Sequence, residues 1–318
     1  MKSLNYRFTV FTATYNRAKT LPRVYESLLK QTFENFEWLI IDDGSEDYTR
    51  ELVEKWIEEK RINIRYFHKE NGGKHTAWSV GVERAESEYL VCLDSDDEAL
   101  PECLSIFNKH WTSIEALDEA EQFWEVKALC LKPDGSINGK GAFPKAVYDS
   151  FYQEVVYKRG IMGDQIGCRR VSVLRGEAAV PQTFIYHEMC NNMPESIRWA
   201  RAGKRYKSRY VNDVVFQIHY DGGGSLCRSV NLKRSKESLY AGLVASFYLP
   251  DENYEYYAKY QKIQLIRRAV IALLNLNATG ESLSDYCDGL QNQHYKRLIL
   301  SLSPLTPLIS VFVKLLRL

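Results

Sequence analysis

Four carboxylates fall within five positions at Asp94, Asp96, Asp97 and Glu98, directly after the apolar run Tyr89 to Leu93. Neighbours of like charge repel, and at a strand end poor in water some would have to take up a proton. A divalent cation relieves that repulsion. Asp oxygens suit hard ions such as Mg²⁺ or Mn²⁺, shared with substrate phosphates and water. In isolation, an acidic turn that merely stops a strand would read the same way.

Three more apolar runs end in polar clusters: Thr14, Tyr15, Asn16 and Arg17; Asp42 and Asp43; and Asn71, Gly72, Gly73 and Lys74. The elements that must position them alternate. Strand patterns at Phe8 to Thr14, Phe36 to Ile41, Ile62 to Phe67 and Tyr89 to Leu93 are separated by helical ones. The helices run from about Thr20 to Gln31, Asp47 to Lys60 and Thr76 to Ala85, with Thr20 as an N-cap. Crossovers of that length exclude hairpins and predict an α/β fold, a Rossmann-like doubly wound, mostly parallel sheet. Ligands of such sheets sit beyond the carboxyl ends of the strands, where all four clusters fall. No GxGxxG follows the first strand and no GxxxxGK[ST] occurs, so neither a dinucleotide fingerprint nor a P-loop is present.

Further along, a helix from Pro101 to Ile114, a strand from Phe123 to Lys132, weakly periodic residues 137–165 and a strand from Gly167 to Leu174 are expected. A helix from Pro194 to Ala202 and two short strands within Tyr206 to Tyr220 follow, then a mobile loop at Gly222, Gly223 and Gly224. From Ser229 the chain reads as helix. This organisation gives residues 1–228 as one region, with a first half to about 115 and a second from 116, and a helical C-terminal extension over 229–318.

With 318 residues, 45% hydrophobic and 26% charged, the chain can bury a sizeable core. A net charge of +1 gives no global case for nucleic acid. Seven Cys without CxxC spacing argue against a zinc site or a disulfide scaffold and fit a reducing compartment. The N-terminus has no apolar leader and no 18-residue uncharged apolar run occurs, so a cytoplasmic protein, soluble or at the inner face of the cell membrane, is expected.

Thr12 to Arg17, Ile41 to Ser45, Asn71 to Ala77 and Leu93 to Asp97, in this order, resemble the family-2 inverting glycosyltransferases with the GT-A fold, of the kind that builds bacterial surface polysaccharides. The likeness is strong over residues 5–115 and weaker through Met193, Pro194 and Glu195 to His219, Tyr220 and Asp221. The resemblance implies a UDP-sugar donor, a glycan or lipid-linked acceptor and a divalent cation. It implies that Asp43 accepts a hydrogen bond from uracil, that Thr14, Tyr15, Asn16 and Arg17 line the nucleotide pocket, and that Lys74 lies nearby. Asp96 and Asp97 would bridge ribose, cation and diphosphate, with Asp94 supporting the turn. Glu195 aligns with the general base.

For the inverting transfer that the resemblance implies, the base must come from a different segment than the cation site, because inversion needs it opposite the leaving group. Glu195 qualifies by sequence distance, and Glu188 and Asp164 remain alternatives. An acidic residue after Pro at a helix start is also a common cap. His219 is a candidate third metal ligand, although a lone His in a strand is often simply packed. Asp42 reads as a turn former. Tyr295 to Leu318 combines many apolar residues with Lys296, Arg297, Lys314 and Arg317 and no acid, split by Pro304 and Pro307. That suits the interface of an anionic membrane, or docking on protein, with a homodimer among the candidate partners. Two other classes compete. A non-catalytic sugar-nucleotide-binding scaffold is one; an aspartate-nucleophile phosphatase is the other, but Glu98 stands where its DxDxT motif needs Thr.

Overall fold

The computed structural model describes residues 5–139, 141–161, 166–176, 178, 193–220 and 236–308. The chain divides into two compact units, residues 1–152, 161–179 and 202–229 in one and 153–160, 180–201 and 230–318 in the other.

The first unit is built on one sheet. Strands β1 (Tyr6–Thr14), β2 (Phe36–Asp42), β3 (Ile64–His68) and β4 (Ser87–Cys92) alternate with helices α1 (Leu21–Leu29), α2 (Thr49–Glu59) and α3 (Lys74–Arg84). The strands lie in the order β3-β2-β1-β4 and all run parallel, as their long crossovers require. Beyond β4 the sheet becomes mixed, with β5 (Glu98–Ala99), β6 (Phe123–Leu131), β7 (Val147–Phe151), β8 (Ile166–Arg170) and β9 (Lys207–Gln217). Strand β8 is antiparallel to both β4 and β6, β6 is parallel to β9, and β5 and β7 pair antiparallel with β9.

Alternation along β1 splits the core between two faces. Phe8 and Val10 join a cluster with residues of α1, α2 and α4 (Cys103–Glu115). There Tyr25 stacks on Trp56 at 4.4 Å and Trp111 on Tyr89 at 4.0 Å. Phe11 points to the other face and meets Trp78 of α3 edge-on at 5.4 Å. Helix α3 can lie this close because residue 81 is Gly: a Cβ there would sit 2.3 Å from the Phe11 ring.

Several element boundaries differ from expectation. Strand β3 starts at Ile64 and α3 at Lys74, and Thr20 makes no side-chain cap bond. The single strand expected over 167–174 ends at Arg170, and α5 (Val171–Arg175) follows. Val171, Val173 and Leu174 are buried, so packing overrides the β preference of the branched residues. The two short strands expected within 206–220 are one strand of 11 residues. Asn212 does not break it, because its side chain exchanges two hydrogen bonds with the backbone of Phe143, at 2.7 and 3.1 Å. Register shifts against β6 absorb the irregularity.

Helices α6 (Ser196–Arg205), α7 (Lys236–Glu252), α8 (Tyr254–Tyr260), α9 (Lys262–Thr279), α10 (Leu283–Gly289) and α11 (Gln293–Leu302) follow in the chain. The expected helical C-terminal region is present over the described residues. Ser282 and Asn292 cap α10 and α11 through their side chains. The second unit buries Leu243, Phe247, Tyr257, Leu273, Tyr286, Tyr295 and Ile299. Among the described residues no helix is long and apolar enough to cross a membrane. The loop at Gly222 to Gly224 and residues 309–318 lie outside the described residues.

Candidate active site

Parallel register brings the strand ends to one edge. Thr14 pairs with Asp42 and Asp42 with His68. The next residues stay in step: Asp43 donates its N–H to Thr14 O at 2.8 Å, Lys69 to Asp42 O at 2.9 Å and Leu93 to Phe11 O at 2.9 Å. The four polar clusters therefore leave the sheet along the rim where wound sheets bind ligands.

Asp43 is almost fully buried there. Its Oδ2 accepts the Gly73 N–H at 2.7 Å, and its Oδ1 accepts the Gly72 N–H at 3.1 Å and the Lys69 ammonium. Gly73 is the N-cap of α3, so the carboxylate lies where the helix dipole favours negative charge. The β2 and β3 loops meet closely: Asn71 Nδ2 donates to Asp43 O at 2.8 Å, and a Cβ on Gly44 (φ +89°) would stand 2.9 Å from Asn71 N. Asp42 closes the turn, accepting from Ser45 N–H at 2.8 Å and the Tyr66 hydroxyl at 2.5 Å.

The β1 loop is fastened to the same rim. Asn16 takes a left-handed φ of 53°, donates its N–H to Ser45 Oγ at 2.8 Å and accepts from Glu46 N–H at 2.8 Å. Arg17 reaches to 3.9 Å from Asp96 Oδ2, and Arg23 of α1 donates to Asp96 O at 2.7 Å. Lys74 lies 2.9 Å from Asp94 Oδ1. Adjacent residues Gly73 and Lys74 thus join Asp43 to the acidic turn. Tyr15 is exposed, whereas Thr14 Oγ1 is buried and makes no hydrogen bond.

Within the acidic turn, burial and the charge of Asp94 raise the Asp96 carboxyl above its ordinary range. Burial, then Asp94, push Asp97 up to about 8, and Asp96 adds to the effect. His219, just past β9, donates its backbone N–H to Asp97 Oδ1 at 3.0 Å. Its ring Nε2 is buried, 3.4 Å from Glu98 Oε2, with no hydrogen bond. Among the described residues no three His, Cys, Asp or Glu side chains already converge on a metal-binding centre. The donor set nevertheless fits Mg²⁺ or Mn²⁺: crowded oxygens whose repulsion a cation would relieve, with an unsatisfied imidazole nitrogen beside them. Mg²⁺ in particular is usually held by one or two carboxylates together with substrate phosphates.

Glu195 falls in the second unit, in the turn before α6, where its carbonyl accepts the Trp199 N–H at 3.2 Å. Glu188, Asp164 and the His187 to Asn192 stretch lie outside the described residues. Two contributors to the rim escape a reading of the sequence. Lys69 could have been found, since it follows the register partner of Asp42 and so lies beside Asp43. Arg23 sits off the apolar stripe of α1 like any solvated cation and carried no signal.

Residues 9–117 match the family model described as glycosyl transferase family 2. An uncharacterized glycosyltransferase of Rickettsia felis is 28% identical over 219 residues, 68% of this chain and 33% of its own length. The poly(ribitol-phosphate) beta-N-acetylglucosaminyltransferase TarS of Staphylococcus aureus is 28% identical over 155 residues, 47% of this chain and 24% of its own. The chain therefore spans a third or less of these relatives. The crystal structure of TarS residues 1–349 with UDP-GlcNAc superposes with a TM-score of 0.60 at 18% identity, covering 96% of this chain and 87% of that one. GalNAc-T7 with UDP, GalNAc and Mn²⁺ gives a TM-score of 0.50 at 15% identity over 90% and 57%. The likeness is one of fold, the GT-A arrangement.

Proposed function

We infer that this chain, whose residues 9–117 match the glycosyl transferase family 2 model, moves a sugar from a UDP-sugar to an acceptor hydroxyl with inversion at the anomeric carbon. The observation that carries the reading is the shared rim: the Asp43 cradle and the Asp94 to Asp97 turn, joined through Gly73 and Lys74. The complex of the TarS fold with UDP-GlcNAc supports the choice of donor.

In this reading Asp43 accepts the uracil N–H, and Thr14, Tyr15, Asn16 and Arg17 line the nucleotide pocket. Thr14 Oγ1 supports this, as a buried hydroxyl without a partner. Asp96 and Asp97, with His219, would hold Mg²⁺ or Mn²⁺, and Asp94 would support the turn through Lys74. A bound cation supplies neutralisation of the charge that develops on the departing diphosphate. Arg17 and Lys74 add fixed positive charge on the same side.

Glu195 is the general base of the proposal. The acceptor oxygen forms a bond to the anomeric carbon as the bond to the diphosphate oxygen breaks. The hydroxyl proton passes to the carboxylate, and UDP leaves with the electron pair. Such a base contributes about 10²–10⁴-fold.

The acceptor is proposed to be a glycan or lipid-linked sugar at the cytoplasmic face of the membrane. Exposed Leu300, Leu305 and Leu308, near Lys296 and Arg297 in sequence, support contact with an anionic surface. A self-associated form remains part of the proposal. The test is a UDP-sugar panel assayed for UDP release with and without acceptor and Mn²⁺. Release of UDP from one donor supports the reading; no release from any of them, under conditions where the protein is folded, rejects it.

A further inference from the structure

Lys69 is the hub of the Asp43 cradle. Its side chain is about a quarter exposed, and its ammonium donates to Asp43 Oδ1, to Glu70 O and, at 2.9 Å, to Thr76 Oγ1. All three donors of an ammonium are thereby used. Gly72 approaches it closely: a Cβ there would lie 2.9 Å from Thr76 Oγ1 and 3.2 Å from Lys69 Nζ. The two carboxylate oxygens of Asp43 are consequently unequal. Oδ1 receives Lys69 and the Gly72 N–H, with Thr76 Oγ1 at 3.5 Å, whereas Oδ2 receives only the Gly73 N–H.

We propose that Lys69 is a positioning residue that sets base specificity: by occupying Oδ1 it leaves Oδ2 of Asp43 as the single open acceptor for the nucleotide base. This rests on the uridine reading given above. An ionised carboxylate accepts and cannot donate. Its open lone pair therefore selects a ring that presents an N–H, as uracil does, and rejects cytosine, whose corresponding ring nitrogen is itself an acceptor. Two acceptors facing each other leave both unsatisfied, the arrangement from which strong discrimination arises. Without the ammonium, Oδ1 loses its charged donor and the carboxylate can rotate, so the oriented acceptor that favours uracil is lost and the preference over cytosine falls.

The experiment measures binding of UDP and CDP, each with Mn²⁺, to the full chain by calorimetry, for wild type, Lys69→Met and Lys69→Arg. Wild type is expected to favour UDP over CDP by at least about tenfold. Lys69→Met is expected to weaken UDP by about tenfold and to bring the UDP/CDP ratio near unity. Lys69→Arg, which keeps a charged donor, should recover most of that ratio. If Lys69→Met does not fold, Lys69→Gln replaces it, with the same ratio read. A wild type that binds neither nucleotide overturns the uridine reading itself. A wild type selective for UDP whose ratio is unchanged in the Met or Gln variant overturns the role of Lys69 alone.

Discussion

His219 donates its main-chain N–H to Oδ1 of Asp97 at 3.0 Å, joining positions 122 residues apart. The antiparallel pairing of β5 with β9, Glu98 opposite Gln217, makes that contact. The acidic turn is therefore fixed from the far half of the sheet as well as from β4. The bond uses backbone, so it survives replacement of the imidazole. Asp97→Asn also keeps an oxygen for it. Both variants are expected to fold, with turnover in Asp97→Asn reduced on the order of 10²-fold or more. His219→Ala should weaken Mn²⁺-dependent stabilisation while retaining the wild-type melting temperature in EDTA. A His219→Ala chain with undiminished response to Mn²⁺ removes that residue from the proposed cation site.

Asp43 connects β2 to the start of α3, so its loss should be felt by the fold as well as by the nucleotide. Asp43→Ala leaves the Gly72 and Gly73 N–H groups and the Lys69 ammonium without their acceptor. A cost of about 1.5–3 kcal/mol is expected from charge-assisted bonds of this kind. Urea unfolding should show the midpoint falling with an unchanged slope.

Glu125 gives the clearest pH signature. It is fully buried and accepts from Arg169 Nε at 2.8 Å and Ser208 Oγ at 3.0 Å, with Lys127 3.7 Å away. Burial alone would raise its carboxyl; Lys127 and Arg169 outweigh that and hold it below the ordinary value of 4.5. A folded value below the unfolded one means the stabilisation is complete above the unfolded value and is lost as the pH falls through the folded value. Glu125→Gln should cost about 3–5 kcal/mol near neutrality. The melting-temperature gap to wild type should narrow on acidification below about pH 4.5. A gap independent of pH would contradict this.

Much of the chain to residue 115 could be read from the residues because β1, β2 and β4 are largely buried on both faces and stop abruptly, while β3, at the sheet edge, is only half-buried. Tyr89 to Leu93 against Asp94 is an apolar-to-charged step that few other arrangements produce. Beyond residue 115 the elements depend on partners distant in sequence. Asn212 and Asp213 look like a break, yet Asn212 is paired with the backbone of Phe143 and Asp213 with His110 at 2.9 Å, partners distant in sequence. One Lys in a mixed-charge stretch has no periodicity to mark it, so Lys69 gains its role only from its register beside Asp43.

Helix α11 and the residues after it present Leu300, Leu305 and Leu308 to solvent. Vesicles rich in phosphatidylglycerol should sediment with the chain, and phosphatidylcholine vesicles should not. Leu305→Ser with Leu308→Ser should reduce the bound fraction several-fold, since burying each leucine is worth about 1.5–3 kcal/mol. Equal sedimentation with both lipids would point away from an anionic surface.

The proposed uridine-binding rim is tested most directly by titrating UDP with Mn²⁺ into wild type, Asp43→Ala and Asp97→Asn, each first shown to be folded. Saturable binding to the wild type, lost or weakened at least about tenfold in both variants, is the expected result. UDP binding that is indifferent to both substitutions would show that the nucleotide is held elsewhere on the molecule.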